Sequence, residues 1–193
     1  MMNGIANTTE LSKTTDGIDT QCHRIIDHTQ TQGTASDDAK QWYSLNDNVM
    51  GGRSTGIVTL NDNHVHFHGS INTNGGGFAS IRYDISDIDL SGVTSIRLSI
   101  KSDARAYGVQ LQDDRSRQKS ISYRAPMAIT NSDNYDIIEV PLESFKPTFR
   151  GRRVQTDPFN TEIANSIGII LSDAIDGPFS LNLRWIEACR IRQ

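Results

Sequence analysis

Long hydrophobic runs are missing from this sequence. No stretch approaches the roughly 20 apolar residues that span a bilayer, so direct membrane insertion is not expected. Cysteine is nearly absent: Cys22 and Cys189, one near each end, are the only two. They lack the spacing of a zinc site. The ends of a single domain often lie close together, which makes a bond between them conceivable. Isolated thiols in a chain without a secretory signal are ordinarily reduced, and reduced thiols are the expectation here. Excess positive charge is also lacking: the formal net charge is −4 and the isoelectric point about 5.7. Nucleic-acid binding usually needs a basic face to displace counterions, so it is not expected.

Recognisable catalytic signatures are missing too. There is no Gly-x-Ser-x-Gly elbow and no paired-cysteine metal motif. Residues 1–21 hold no apolar core, contain Glu10, Asp16 and Asp19, and precede the first arginine, Arg24. That pattern matches neither a secretory signal nor an Arg-rich transit peptide. The expectation is a disordered polar leader over 1–21 and a single domain over 22–193. A cytoplasmic location is expected, with a mitochondrial one as the alternative.

What the sequence does have is alternation. "GIVTL", "HVHFHGSI", "FASIRYDI", "VTSIRLSI", "AYGVQLQ", "KSISYRA" and "FSLNLRWI" are short runs of this kind, "DIIEVPL" and "SIGIILS" are buried-strand candidates, and all are separated by Gly, Asn, Asp and Pro. A period of two sends successive side chains to opposite faces of a strand. Many such runs between turn formers predict an antiparallel β-sandwich or barrel. "LNDNH" is a hairpin candidate, and "PLESF" and "DPFNTEIA" are candidates for short helical turns.

Four local features carry possible chemistry. His64, His66 and His68 share one face of a predicted strand, where histidines can share a metal. The plainer reading is the polar side of a half-buried strand, and no metal or other cofactor is expected. Gly75–Gly77 precede a strand pattern rather than a helix and no Lys-Ser pair follows them, so they do not read as a phosphate loop. Their use is a backbone that takes positive φ or passes a neighbour closely. "FRGRR" groups Arg150, Arg152 and Arg153, whose forks suit carboxylate or phosphate. They read either as an anion or partner patch with Arg53 and Arg82, or as a loop paired with acids such as Asp157. "NDNVMGGRS", Asn46–Ser54, is the fourth.

In order along the chain, "WYSLNDNVMGGRS", "FHGSINTNGGGFASIR", "VPLESFKPTFRGR" and "SIGIILSDAIDGPFSLNLRWI" resemble the complex I intermediate-associated protein family, the thirty-kilodalton assembly-factor type. The resemblance covers roughly residues 40–190. It implies an all-β, galactose-binding-like jelly-roll β-sandwich. It also implies a non-catalytic chaperone whose protein partners are assembly intermediates of respiratory complex I. Related sandwiches bind carbohydrate, which supplies the alternative; Trp42, Tyr43, Tyr107 and Tyr123 are the aromatic residues available, several of them in phase with the core.

The expected partner-binding surface joins three loops: Asn46–Ser54, Asn74–Gly77 and Arg150–Arg153. Its candidate residues are Asp47, Asn48, Met50, Arg53, Asn74, Arg82, Arg150 and Arg152. Asp47 and Asn48 suit turns, Met50 offers an adaptable apolar contact, and the arginines suit acids or a partner. Two readings stand open for these loops: contact with a partner, or turns that the fold itself requires.

Overall fold

Alternation becomes two stacked antiparallel sheets. The computed structural model describes residues 11–13, 19–29, 42–130 and 133–192. Sheet A contains β1 (Leu11–Lys13), β2 (Asp19–Asp27), β4 (Thr55–Asn61), β5 (His64–Ile71), β7 (Ser95–Ser102), β10 (Asp136–Pro141) and β14 (Gly177–Ile191). Sheet B contains β3 (Trp42–Asn46), β6 (Ala79–Asp84), β8 (Tyr107–Asp113), β9 (Ile121–Pro126), β11 (Lys146–Phe149), β12 (Arg152–Arg153) and β13 (Ala164–Leu171). Across sheet B the order is β12-β11-β9-β8-β13-β6-β3.

The apolar phase of each strand faces the space between the sheets. Val65, Phe67 and Ile71 of β5, and Leu98 and Ile100 of β7, meet Ile81 of β6, Val109 and Leu111 of β8, and Ile167 and Ile169 of β13, all fully or nearly fully buried. Phe67 and Phe179 sit edge to face with centroids 4.8 Å apart. Strand β14 organises sheet A. Its first half pairs with β5, its second half with β2, and its other edge with β7.

The hairpin predicted at "LNDNH" joins β4 to β5. The turns predicted in "PLESF" and "DPFNTEIA" are 3-10 turns at Leu142–Ser144 and Thr161–Ile163. A short helix, α1 (Asp114–Gln118), was not foreseen; Asp113 caps it by accepting from the Ser116 amide at 2.7 Å.

One expectation about the ends changes, that for the cysteines. Within the expected leader, Leu11–Lys13 and the start of β2 are paired strand, while residues 1–10 and 14–18 lie outside the described residues. Cys22 and Cys189, expected to be reduced, form a disulfide. The reason is register: the β14–β2 pairing sets the two cysteines directly opposite each other in the sheet. No helix among the described residues is long and apolar enough to cross a membrane.

Candidate functional site

At the end of β3 the chain makes a 3-10 turn, Asp47–Met50, that closes at Gly51 in the left-handed region (φ 88°). Asp47 is 0% exposed. Its carboxylate accepts from the Ser54 amide (2.9 Å), the Ser54 hydroxyl (2.6 Å) and the Gly77 amide (2.6 Å). The Phe78 amide points to the same oxygen at 3.4 Å. Burial pushes this carboxyl up; the donors from Ser54, Gly77 and Phe78 outweigh it and hold it below the usual carboxylate range. A Cβ added at Gly52 or at Gly76 would come within 2.2 Å of the Asp47 carboxyl group. The glycines of both motifs are therefore the space in which one buried carboxylate sits.

The same linkage runs on. The Ser54 hydroxyl accepts from the Asn72 amide at 3.0 Å. The Thr73 amide donates to Asp176 at 2.6 Å. Beyond it, Arg105 forms a two-pronged ion pair with Asp173 at 2.9 and 2.7 Å and donates to the carbonyls of Ile175, Gly177 and Pro178. Three of the sequence motifs thus interlock at one end of the sandwich through hydrogen bonds rather than presenting those groups outward.

Of the predicted site residues, Asn48, Arg53 and Asn74 are exposed around this knot, and Asp47 is sealed beneath them. Met50 lies in the 3-10 turn; its side chain is outside the described residues. Arg150 and Gly151 turn the β11–β12 hairpin with φ of 48° and 78°. Arg150, Arg152 and Arg153 are exposed, and none forms an ion pair among the described residues. The pairing with Asp157 that one of the two readings offered is not found among the described residues; the Asp157 carbonyl accepts from the Tyr123 hydroxyl at 2.7 Å. The three loops do not form one patch. The first two meet beside β3, whereas the arginine hairpin lies beyond the far edge of sheet B. Five strand steps separate β3 from β11, roughly 24 Å at ordinary strand spacing.

Between them lies a face that the sequence did not single out. Register across sheet B places Tyr43 beside Arg82, Arg82 beside Gly168, Gly168 beside Gln110, Gln110 beside Arg124 and Arg124 beside Lys146. All of these belong to the phase that points away from the core. Gln110 is nevertheless only 1% exposed and Gln112 only 6%. Arg82 donates to Gln112 Oε1, to Ser122 Oγ at 3.3 Å and weakly to Gln110 Oε1 at 3.5 Å. Burial lowers the Arg82 pKa against an opposing pull from Tyr43. Burial, with the nearby Arg82 charge, lowers Arg124 to about 10. Only Arg82 was in the predicted set. Gln110 and Arg124 were missed because polar residues on the outer phase of a strand normally meet water, and nothing local in "QLQ" or "SYRA" says that this face is sunken.

The outer face of sheet A carries the histidines. The His66 and His68 rings stack at 4.3 Å, and His66 Nε2 lies 2.9 Å from the Ser180 hydroxyl. Among the described residues, the one group of three potential ligands within 4.8 Å is Cys22, Glu187 and Cys189. Its two sulfurs are tied to each other in the disulfide.

Comparison with known proteins places this architecture. The family described as Complex I intermediate-associated protein 30 (CIA30) matches residues 29–183, most of the chain. An uncharacterized protein of Schizosaccharomyces pombe is 30% identical over 132 residues, a match that spans 60% of each chain. Among solved structures, the family 11 carbohydrate-binding module of the cellulosomal cellulase Lic26A-Cel5E of Clostridium thermocellum superposes with a TM-score of 0.56. It is 18% identical, with 86% of this chain and 92% of the module covered. An agarase, AgWH50C, gives 0.54 at 9% identity, covering 86% of this chain and 24% of the enzyme. These likenesses to solved structures are likenesses of fold. The family match is of a different kind, and the chain belongs to the CIA30 family.

Proposed function

We propose that this member of the complex I intermediate-associated protein 30 family is a non-catalytic binding domain, a chaperone that assists assembly of respiratory complex I by holding an intermediate through protein–protein contacts. The observation that carries this reading is the family match over residues 29–183. The structure supports a non-catalytic role in one respect. The polar residues of the conspicuous motifs, Asp47, Ser54, Asp173 and Asp176, are used within the fold. Partner contact is assigned to the exposed Asn48, Arg53 and Asn74 at one corner of sheet B and to Met50 of the same turn, to the half-buried Arg82 on its outer face, and to the exposed Arg150 and Arg152 at its far edge. Asp47 supports the first corner from beneath.

The test is affinity capture with the tagged full chain from detergent-solubilised membranes of its own source, read by quantitative mass spectrometry. Complex I subunits are expected to be enriched over an unrelated β-sandwich control. No enrichment of any complex I subunit removes the basis of the reading.

A carbohydrate-binding function is the second reading, favoured by the placement of Tyr43, 48% exposed, beside Arg82 on the open face of sheet B. Sugar platforms normally use exposed aromatic rings, and here Trp42, Tyr107 and Tyr123 are buried in the core. A glycan array decides it: no bound glycan at millimolar concentration leaves protein binding as the function.

A further inference from the structure

The row Arg82–Gln110–Arg124 breaks a general rule of protein interiors, that buried donors and charges find partners. Arg82 Nε, Gln110 Nε2 and Arg124 Nε are all buried, and none has a hydrogen-bond partner. Neither arginine forms an ion pair among the described residues. No carboxylate contributes to the pKa of either one; the nearest charge acting on Arg124 is Arg82 itself. Two guanidinium groups are thus sunk in one face with nothing to neutralise them.

The Arg82 side chain crosses the intervening strand, so its guanidinium lies beside Gln110 and Ser122 and close to Arg124. Gly168 sits beside both Arg82 and Gln110 and brings no side chain. A Cβ at Gly168 would lie 3.1 Å from Arg82 Cγ, so the glycine leaves the room through which Arg82 reaches across to Gln110, and the two guanidinium groups share one stretch of the face. All three unpartnered atoms are donors. A group that satisfies them must be an acceptor, and two unpaired cations call for a negative one. A carboxylate is planar and accepts from guanidinium forks in the side-on geometry that arginine favours. Around the row, Lys146 and the hairpin arginines Arg150, Arg152 and Arg153 extend the positive field toward the edge of the sheet.

We propose that the outer face of sheet B is a docking site for an acidic peptide segment of a protein partner, with one Asp or Glu carboxylate seated between Arg82 and Arg124 and accepting from Gln110 Nε2. The choice of a peptide rests on the protein-binding reading above; the choice of a carboxylate rests on the three donors. The free protein carries this repulsion and the unmet donors as stored instability that the ligand relieves. A buried unpaired charge is replaced by an apolar residue at little or no loss of stability, so the site predicts that binding and stability separate on mutation.

The full chain is titrated by calorimetry at low ionic strength with a capped peptide of alternating Glu and Ala, and with its Gln counterpart. The Glu peptide is expected to bind and to raise the melting temperature, and the Gln peptide to do neither. Arg124→Met is expected to weaken binding at least ~10-fold while melting no lower than the parent. Side-chain N–H resonances of Arg82, Gln110 and Arg124 are expected to shift on titration of the parent protein. The proposal falls if those resonances do not move, if the Gln peptide binds as well, or if Arg124→Met binds unchanged. It also falls if Arg124→Met loses its fold, because the arginine is then a structural group. Inorganic phosphate or polygalacturonate binding more tightly than the Glu peptide overturns the peptide assignment in favour of a phosphate or a uronic-acid ligand. Capture of complex I subunits without Glu-peptide binding defeats this inference alone, and peptide binding without capture defeats only the assembly reading.

Discussion

At the scale of single residues, Asp47 is the hinge between the two open readings of the motif loops. Its carboxylate is buried and bonded to donors from three positions of two loops, Ser54, Gly77 and Phe78. Replacing it with Ala leaves those donors unmet, a loss of about 3 kcal/mol on the usual cost of breaking charged buried hydrogen bonds, measurable by urea unfolding. The pH dependence has a definite sign. The carboxyl pKa is held below its ordinary value, so its stabilisation is complete above the unfolded value of about 4 and disappears as pH falls through the lower folded value. Unfolding curves between neutral and acid pH are expected to lose less for Asp47→Asn than for the parent protein in that window. The glycines give a sharper check. Gly76→Ala puts a methyl against the Asp47 carboxylate, so its cost is expected to shrink in the Asp47→Ala background, a coupling that a double-mutant cycle reads directly. Gly51→Ala, at φ 88° with open space around it, costs about 1 kcal/mol of backbone strain in either background. The sequence identified Asp47 and these glycines as turn residues. It did not reveal that a carboxylate from one loop fills the gap left by glycines of another, because that depends on a contact between positions about thirty residues apart.

At the scale of elements, β14 couples the ends of the chain. Its alternating residues made it legible as a strand. Its pairing did not follow from them, because one long strand that borders β5, β2 and β7 in turn is a matter of register. The disulfide expectation failed for that reason alone. The Cys22–Cys189 bond closes a loop with a sequence separation of 167. Reduction, or paired Cys22→Ala and Cys189→Ala substitution, is expected to lower stability by about 2–5 kcal/mol, read as a lower melting temperature in reductant. Protein unfolded without reductant is expected to show no free thiol; two reactive thiols would contradict the bond. The helix α1 was missed for another reason: five residues are too few to show a helical period, and the Asp113 cap with its Ser116 counterpart is the sequence signal that marks it.

At the scale of the whole molecule, the layers were readable because each strand repeats its own address in a period of two. The nine short runs, seven of them read as alternating and two as buried strands, account for most of both sheets, and the family resemblance carried by four ordered motifs agrees with the match over residues 29–183. The candidate surface was less readable. The local motifs drew attention to loops whose polar groups are spent on holding one end of the sandwich together, whereas the row Tyr43–Arg82–Gln110–Arg124–Lys146 draws one residue from each of five strands, and no local pattern connects them. Charge tells the same story at this scale: the chain is acidic overall, at −4, yet sheet B presents an uncompensated basic face.

On the proposed function, this chain is a binding domain that engages complex I intermediates through that face. The most direct measurement is parallel affinity capture with the parent chain and with Arg124→Met, each confirmed folded by its melting transition. The parent is expected to enrich complex I subunits, and the variant, no less stable, to lose most of that enrichment. Equal enrichment by both proteins, or none by the parent, would contradict it.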